Sequence, residues 1–260
     1  MNMFTFFHKK SKEATPEPLF FTTDIHSHIC PGIDDGASTP EDSVNLVREM
    51  ADLGLQKMIV TPHVTEEVFP NNTETINKSA ARLKKALKEN GIDMRLQFSA
   101  EYRIDDLFFS YLEKKTLRPL PNDYILVECP WISEPFGLEA FLKQLVARYG
   151  LKPILAHPER YPYYLDNHER YEHIRRSGVR FQINLLSLAG YYGRTIKQMG
   201  EHLLENRMVE FIGTDLHHHR HVECIRRYLA SDDYRLLKAQ SSNILNDVIF
   251  YDAPDAPESI

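Results

Sequence analysis

The chain has 260 residues, 42% of them hydrophobic, with 31 basic against 37 acidic residues and a net charge of −6. This length and apolar content suit one large α/β domain, and the acidic balance argues against a general nucleic-acid-binding protein. No apolar run approaches the roughly 20 residues that span a bilayer. Cys30, Cys129 and Cys224 are too few and too widely spaced for a disulfide framework or a cysteine-rich zinc site. Reduced thiols and a cytoplasmic location are therefore expected.

The two ends of the chain differ in composition from its middle. Residues 1–18 are expected to form a flexible N-terminal leader, with a phenylalanine-rich start (residues 4–7) followed by a polar stretch (residues 8–18), and residues 252–260 a loose acidic tail. The phenylalanine-rich start has two interpretations, a weak membrane-surface or partner-docking segment or a terminus packed on the body. A single domain is expected over residues 19–251.

Between these ends, short β-rich runs alternate with helical patterns. Residues 39–42 (TPED) combine a cap residue, a proline and acids at the start of a helix that Gly54 closes. Similar patterns predict helices around residues 83–87 and 138–145. The predicted strands are residues 19–25, 57–61, 94–101, 123–128, 152–156, 179–184 and 209–214. Seven strands alternating with helices indicate parallel pairing in a barrel or a doubly wound sheet.

The first predicted strand runs into Asp24-Ile25-His26-Ser27-His28. Alternate residues of a strand face the same side, so His26 and His28 can face one metal ion together. In parallel α/β folds the site lies at the carboxyl ends of the strands, where potential ligands recur along this chain. The nine candidate metal ligands are His26, His28, Asp35, His63, Glu101, Glu128, His157, Asp215 and His217.

Three acidic residues near this set have competing roles. Asp34 and Asp35 compete for one ligand position; Asp35 is preferred, and Asp34 is assigned to loop hydrogen bonding. Asp24 is expected to orient a ligand histidine rather than to bind metal itself. Glu101 has an alternative role as the ion-pair partner of Arg103.

Imidazole nitrogens and carboxylate oxygens without thiolates suit manganese, iron or zinc. One ion takes about four to six ligands, so nine candidates indicate two or three ions. Such a cluster can acidify a bound water and hold a phosphoryl group. Arg160 and Arg220 each follow a candidate histidine by three residues and are predicted to bind phosphate oxygens. The combination indicates phosphate ester hydrolysis.

Aromatic and histidine residues near the motifs leave further alternatives open. The tyrosines at 161, 163 and 164 form either an aromatic wall for a phenyl ring or a structural cluster. Trp131 is a candidate for the pocket rim. The histidines at 218, 219 and 221 are expected to be solvated loop residues or neighbours of the substrate rather than ligands.

These motifs, in this order, resemble the PHP (polymerase and histidinol phosphatase) superfamily over about residues 20–250. Besides the opening DIHSH, the likeness rests on residues 32–36 (GIDDG), 61–63 (TPH), 157–160 (HPER) and 215–217 (DLH). The GIDDG and HPER elements resemble most closely the bacterial tyrosine-protein phosphatases found beside capsule or exopolysaccharide kinases.

This resemblance implies a distorted seven-stranded (β/α)7 TIM-like barrel with a trinuclear centre, commonly manganese or iron. It also implies hydrolysis of phosphotyrosine, metal ligation by the nine residues above and phosphate binding by Arg160. A phosphorylated tail of a bacterial tyrosine kinase is the implied substrate. The last motif departs from the usual pattern, because Arg220 follows after only two further histidines where many members have a longer loop.

Other functions stay open at this point. No cysteine has an arginine six positions later, which excludes the thiol phosphatase motif. The alternatives are a small-molecule phosphomonoesterase of the histidinol phosphatase type and a non-catalytic scaffold that binds the kinase. A nuclease is disfavoured by the acidic charge.

Overall fold

The computed structural model describes residues 15–165 and 167–255, with only the backbone described for Gln240. The phenylalanine-rich start and residues 256–260 of the acidic tail lie outside the described residues. The strands are β1 (Thr23–Asp24), β2 (Lys57–Val60), β3 (His63–Val64), β4 (Arg95–Phe98), β5 (Glu101–Arg103), β6 (Tyr124–Glu128), β7 (Lys152–Ala156), β8 (Arg180–Asn184) and β9 (Phe211–Gly213). The helices are α1 (Pro40–Asp52), α2 (Thr73–Glu89), α3 (Asp106–Lys114), α4 (Leu138–Tyr149), α5 (His168–Arg175), α6 (Leu185–Leu188), α7 (Arg194–Glu205), α8 (His219–Leu229), α9 (Asp232–Gln240) and α10 (Asn246–Phe250).

The strands form a curled parallel sheet with seven strand positions, which confirms the predicted TIM-like barrel. Two positions are interrupted, so that β1-β2-β4 pair on one side of the break and β3-β5-β6-β7-β8-β9 pair on the other. Hydrogen bonds from Ser99 N to Val60 O (2.9 Å) and from Glu101 N to Pro62 O (3.1 Å) carry the pairing across the break. The single strand predicted over residues 94–101 is therefore two segments.

The helix predicted to start at residues 39–42 is confirmed, as are those predicted around residues 83–87 and 138–145. The first predicted strand, residues 19–25, is too long. Thr39 caps α1 in a capping box with Asp42. Residues 19–22 are not a strand, because their backbone groups bind elsewhere. Leu19 N donates to Leu53 O (2.9 Å), and Thr22 N donates to the Asp247 carboxylate (2.9 Å).

Alternation along β6 shows how the barrel positions a functional side chain. Tyr124 and Leu126 belong to the hydrophobic cluster inside the barrel, whereas Ile125 and Val127 belong to the cluster between sheet and helices. Since alternate residues face the same side, Glu128 at the end of the strand faces inward. The described helices include none that is long and apolar enough to cross a bilayer.

The barrel closes where the first and last strand positions meet. Asp215 N donates to His26 O (2.8 Å) and His28 N donates to Leu216 O (2.9 Å), with a parallel bridge between Ser27 and Leu216. The closure therefore joins the opening DIHSH motif directly to the DLH motif.

Below this junction, one buried side chain replaces strand pairing. Asn246 Nδ2 donates to Thr23 O (2.9 Å) and to Ile212 O (2.7 Å), and its Oδ1 accepts from Ile212 N (3.1 Å). The three contacts tie β1 to β9 where the two strands do not pair with each other. Asn246 is fully buried, so no water can replace these bonds.

Replacing Asn246 by alanine is expected to lower the free energy of unfolding by about 3 kcal/mol, because three hydrogen bonds worth about 1 kcal/mol each are lost. Urea unfolding followed by circular dichroism measures this change. Asn45→Ala on the exposed face of α1 is the control and should leave stability unchanged. A loss below about 1 kcal/mol for Asn246→Ala would contradict the role of this side chain in barrel closure.

Candidate metal centre

The nine predicted ligands converge at one end of the barrel. Their ligand atoms form four overlapping groups, and within each group the atoms lie within 4.8 Å of one another. The groups are His28–Asp35–His63–His217, His26–His28–Glu101, His26–His157–Asp215 and His63–Glu101–Glu128. Each group combines imidazole with carboxylate, which is a donor set for divalent transition metals.

Glu101 is the central carboxylate of the site. Its Oε1 lies 2.9 Å from His157 Nε2. Its Oε2 lies 2.9 Å from His63 Nδ1, 3.3 Å from His26 Nε2 and 3.5 Å from His28 Nε2. Glu101 is fully buried, and its position suits a ligand that bridges two ions. The alternative pairing with Arg103 is not observed, because Arg103 instead lies near Asp105.

Asp215 occupies the opposite side of the same histidines. Its Oδ1 lies 3.4 Å from His26 Nε2, 3.3 Å from His28 Nε2 and 3.5 Å from His217 Nδ1. Its Oδ2 accepts from Arg160 Nη1 at 2.8 Å. One carboxylate therefore contacts both the ligand cluster and the predicted phosphate-binding arginine.

Asp35 lies on the open side of the cluster, and Asp34 lies beneath it. Asp35 Oδ1 is 3.4 Å from His217 Nε2 and 3.6 Å from His63 Nε2, and the Asp35 side chain is 57% exposed. Asp34 Oδ2 lies 2.9 Å from His28 Nδ1 and accepts from His63 N (3.1 Å). Asp34 thus makes the predicted loop hydrogen bonds and also fixes the ring of His28.

Mutual charge shifts the pKa values of the central residues. Burial raises the pKa of Glu101, but the positive charges of His26 and His63 outweigh it and hold that pKa well below its usual range. Burial, followed by the charge of Glu101, raises the pKa of Glu128 to about 8. Burial lowers the pKa of His26, but the negative charges of Glu101 and Asp215 outweigh burial and raise that pKa to about 9. The cluster therefore holds buried negative charge that imidazoles in their neutral form cannot balance.

Three buried polar atoms of the cluster make no well-aligned hydrogen bond within the described residues: Glu101 Oε2, His63 Nδ1 and His157 Nδ1. The first two lie 2.9 Å apart as an ion pair. Burial also lowers the pKa of His157 to about 4, against a hydrogen bond with Glu101, so its imidazole stays in the neutral form that binds metals. Unpaired buried donors and acceptors cost free energy that a cation would recover. The residues present therefore fit divalent ions.

Backbone geometry at the cluster is specialised. His157 (φ 34°) and Asp215 (φ 50°) occupy the left-handed region, which is uncommon for residues with side chains and recurs at functional sites. At Gly36 a Cβ would lie 1.9 Å from the carbonyl oxygen of His28, and at Gly213 it would lie 2.7 Å from His26 Cβ. Only glycine allows these two close approaches to the ligand histidines.

A polar chain on β8 supports the ligands and was missed by the sequence interpretation. Gln182 Oε1 lies 2.8 Å from His26 Nδ1 and accepts a hydrogen bond from the Nδ1–H, which leaves Nε2 free to bind metal. Gln182 Nε2 donates to Asn184 Oδ1 (2.9 Å), and Asn184 Nδ2 donates to Asp215 Oδ2 (2.7 Å). The alternation of Gln182 and Asn184 on one face of a buried strand was the available signal.

Asp24 supports the site through the backbone. Its carboxylate accepts from Thr214 N (3.0 Å), Thr214 Oγ1 (2.5 Å) and His26 N (3.3 Å). Burial raises its pKa to about 6, against the hydrogen bonds from Thr214. Asp24 therefore holds the main chain at His26, while Gln182 orients the imidazole.

A cavity of about 460 Å³ opens onto the cluster. The Arg160 guanidinium lies in it between two aromatic rings, 4.8 Å from the centroid of Trp131 and 4.0 Å from that of Tyr192. Trp131 also stacks on His157, with centroids 5.5 Å apart. Trp131 thus lines the cavity as one interpretation expected, whereas Tyr192 was not anticipated.

The three tyrosines after Arg160 form a structural cluster and do not line this cavity. Tyr161 is buried, donates to Ala156 O (3.0 Å) and accepts from Cys129 N (2.9 Å). Tyr163 stacks on Tyr161 with centroids 5.5 Å apart. Their role is to fix the loop that carries Arg160.

The last loop separates the histidines from Arg220. His218 and His221 line the cavity, and His221 is buried rather than solvated, with its Nδ1 accepting from His217 N (3.2 Å). His219 is exposed and lies 2.9 Å from Glu49. Arg220 is exposed on the solvent face of α8 and does not line the cavity, so the structure does not bring it to the predicted phosphate site.

Comparisons with known proteins agree with this geometry. Tyrosine-protein phosphatase YwqE of Bacillus subtilis is 33% identical over 196 residues, which are 75% of this chain and 76% of YwqE. Tyrosine-protein phosphatase CpsB of Streptococcus pneumoniae is 29% identical over 209 residues, which are 75% of this chain and 82% of CpsB.

Solved structures show the same architecture. One crystal structure, from work on YwqE and on CpsB of Streptococcus pneumoniae as metal-dependent tyrosine phosphatases, superposes with a TM-score of 0.76 at 27% identity, covering 91% of this chain and 98% of that one. An amidohydrolase from Mycoplasma synoviae shares the fold alone, with a TM-score of 0.57 at 13% identity, covering 95% of each chain.

The family described as "Capsular polysaccharide synthesis, CpsB/CapC" matches residues 22–252, nearly the whole predicted domain. The family resemblance inferred from the motifs is thereby confirmed. The chain belongs to the CpsB/CapC family of capsular polysaccharide synthesis proteins.

Proposed function

We propose that this chain is a metal-dependent protein-tyrosine phosphatase. The observation that carries the proposal is the position of Arg160, which is clamped between Trp131 and Tyr192 at the edge of the nine-residue ligand cluster. The relatives that bear the name tyrosine-protein phosphatase support the same activity.

The nine candidate ligands would hold two or three ions, for which we favour manganese or iron, with zinc as the alternative. Bound ions would acidify a water for attack and neutralise the charge of the phosphoryl group. Glu101 and His26 are fully buried, so bulk water is excluded from this part of the cluster.

Arg160 binds the phosphoryl group in this proposal. One of its nitrogens is held by Asp215, and the planar guanidinium retains further donors for phosphate oxygens. Burial lowers its pKa, but the charge of Asp215 outweighs this and raises the pKa, so the group stays cationic. Contacts with the Trp131 and Tyr192 rings restrict its orientation.

The same rings give the cavity an aromatic wall. A phenyl ring entering the cavity would meet the edge or face of Trp131 and Tyr192, which an alkyl phosphate could not exploit. A phenolate also leaves comparatively easily, so a strong general acid is unnecessary. Both features favour phosphotyrosine over phosphoserine.

We further propose that the physiological substrate is the phosphorylated tail of a bacterial tyrosine kinase. The family's link to capsular polysaccharide synthesis supports this, together with the resemblance to phosphatases found beside such kinases. The rival functions, a histidinol phosphatase and a catalytically inert scaffold, differ from it in measurable ways.

Removal of metal is expected to abolish turnover of a phosphotyrosyl peptide, and manganese or iron should restore it. The measurement combines metal analysis of the purified protein with phosphate release before and after chelation. Turnover that survives complete metal removal would refute the proposal. A strong preference for histidinol phosphate over the peptide would instead identify the small-molecule phosphatase.

Replacing Arg160 by alanine is expected to lower kcat/KM on the peptide by about 100-fold, the usual cost of losing one positioned charge-stabilising donor. Arg220→Ala is the matched comparison and should cost less than about threefold, because Arg220 lies on the solvent face of α8. If the wild-type protein and both arginine variants carry a full metal complement and none of them turns over the peptide, the non-catalytic scaffold is favoured.

Replacing Tyr192 by leucine is expected to lower kcat/KM on phosphotyrosine by about tenfold, through loss of a cation–π contact worth about 1 kcal/mol and of the aromatic wall. The preference for aryl over alkyl phosphates should shrink with it. Tyr251→Leu removes a similar contact with Arg95 (3.9 Å) far from the cavity and serves as control. An equal loss of kcat/KM on aryl and alkyl phosphates would contradict the role of Tyr192 as an aromatic wall for the substrate. It would not contradict the contact of Tyr192 with Arg160.

A further inference from the structure

A second and larger cavity, of about 680 Å³, adjoins the metal centre. Its walls are α1, the loop at residues 36–38 and the start of α8. His217 and His218 line both cavities, so the two are separated only by these side chains. We refer to this second cavity as the α1 groove.

We propose that the α1 groove binds the polypeptide chain that flanks the phosphotyrosine. The inference rests on the proposed function and extends it from the phosphorylated side chain to the segment that carries it. Nothing in the barrel itself requires an open groove at this place.

Continuity with the metal centre is the first argument. A phosphotyrosine side chain occupies the cavity of about 460 Å³ with its phosphate at Arg160, so its main chain must leave through the mouth. His217 and His218 line both this cavity and the α1 groove. A chain that passes over these two histidines enters the α1 groove directly.

The lining of the groove is the second argument. Leu46 and Ala37 are buried and give it an apolar floor, while Asn45 is exposed on its side. Arg48 donates to Asn45 Oδ1 (3.0 Å), a surface contact that a peptide amide can replace. An apolar floor with amide-type donors and acceptors suits an extended polypeptide.

The charge of the groove is the third argument. Asp42 and Glu49 line the groove together with Arg48, and Glu49 Oε2 lies 2.9 Å from His219 Nδ1. A lining without excess positive charge disfavours a strongly anionic ligand such as a nucleic acid or a second phosphate. We therefore assign the groove a segment of low net charge.

The groove is also preformed, which reduces the entropic cost of binding. The capping box at Thr39 fixes the start of α1, and Leu46, Val47 and Met50 anchor the helix in the core. Its geometry therefore does not depend on an occupant.

The test compares substrates that fill one cavity or both. A phosphotyrosyl peptide with residues on both sides reaches the α1 groove, whereas free phosphotyrosine and p-nitrophenyl phosphate occupy only the metal-centre cavity. Asn45→Trp fills the groove with a bulky ring, and Lys85→Trp, on the exposed surface of α2, is the control.

Asn45→Trp is expected to lower kcat/KM on the peptide by about tenfold, through KM, while the two small substrates stay within about twofold. Lys85→Trp should change none of these values. If Asn45→Trp does not fold, as thermal unfolding would reveal, Arg48→Trp provides the same comparison by obstructing the groove from a neighbouring position.

Two results would overturn the proposal. One is an unchanged kcat/KM on the peptide in the folded groove variants, as expected if the groove takes a small molecule or nothing. The other is an equal loss on peptide and small substrates, which would mean that the variants disturb the metal centre. A wild-type protein that hydrolyses none of the three substrates would instead refute the proposed function.

Discussion

The closure of the barrel between its first and last strands is the constraint on which the site depends. Asp24 and Thr214 are hydrogen-bonded although they lie 190 positions apart in the chain. The same junction sets His26 and His28 against Asp215, with nitrogen-to-oxygen distances of 3.4 and 3.3 Å. Any shift in this junction would separate His26 and His28 from Asp215 and His217. The same contacts therefore determine both the stability of the barrel and the geometry of the site.

A bound cation would offset the electrostatic cost of burying the candidate ligand cluster. Four carboxylates and five histidines share a largely buried volume, and the raised pKa of Glu128 results from its burial and from the charge of Glu101. Buried like charges are costly, and protonated histidines balance them only partly. Metal binding in such a site contributes to the stability of the folded state as well as to chemistry.

The sequence predicted the strand-borne part of the site better than the loop-borne part. Glu128 and His157 could be placed because strand periodicity and the carboxyl-end rule both apply to them. The prediction of a strand at residues 19–22 was wrong because backbone amides there donate to Leu53 and Asp247. No local sequence pattern encodes these contacts. Tyr192 was missed for the same reason, since its ring reaches Arg160 from a separate loop.

In the proposed function the loop-borne residues distinguish substrates, and Arg160 is coupled to the candidate ligand cluster through one carboxylate. Asp215 contacts His26 and His28 through Oδ1, and it holds Arg160 through Oδ2. In the proposed function, its negative charge would be divided between cations at the cluster and the guanidinium. Cations that draw on that charge would weaken the ion pair with Arg160 and leave the guanidinium freer to bind phosphate. Metal loading and phosphate binding would then be linked by a residue that the sequence motif identified only as a candidate ligand.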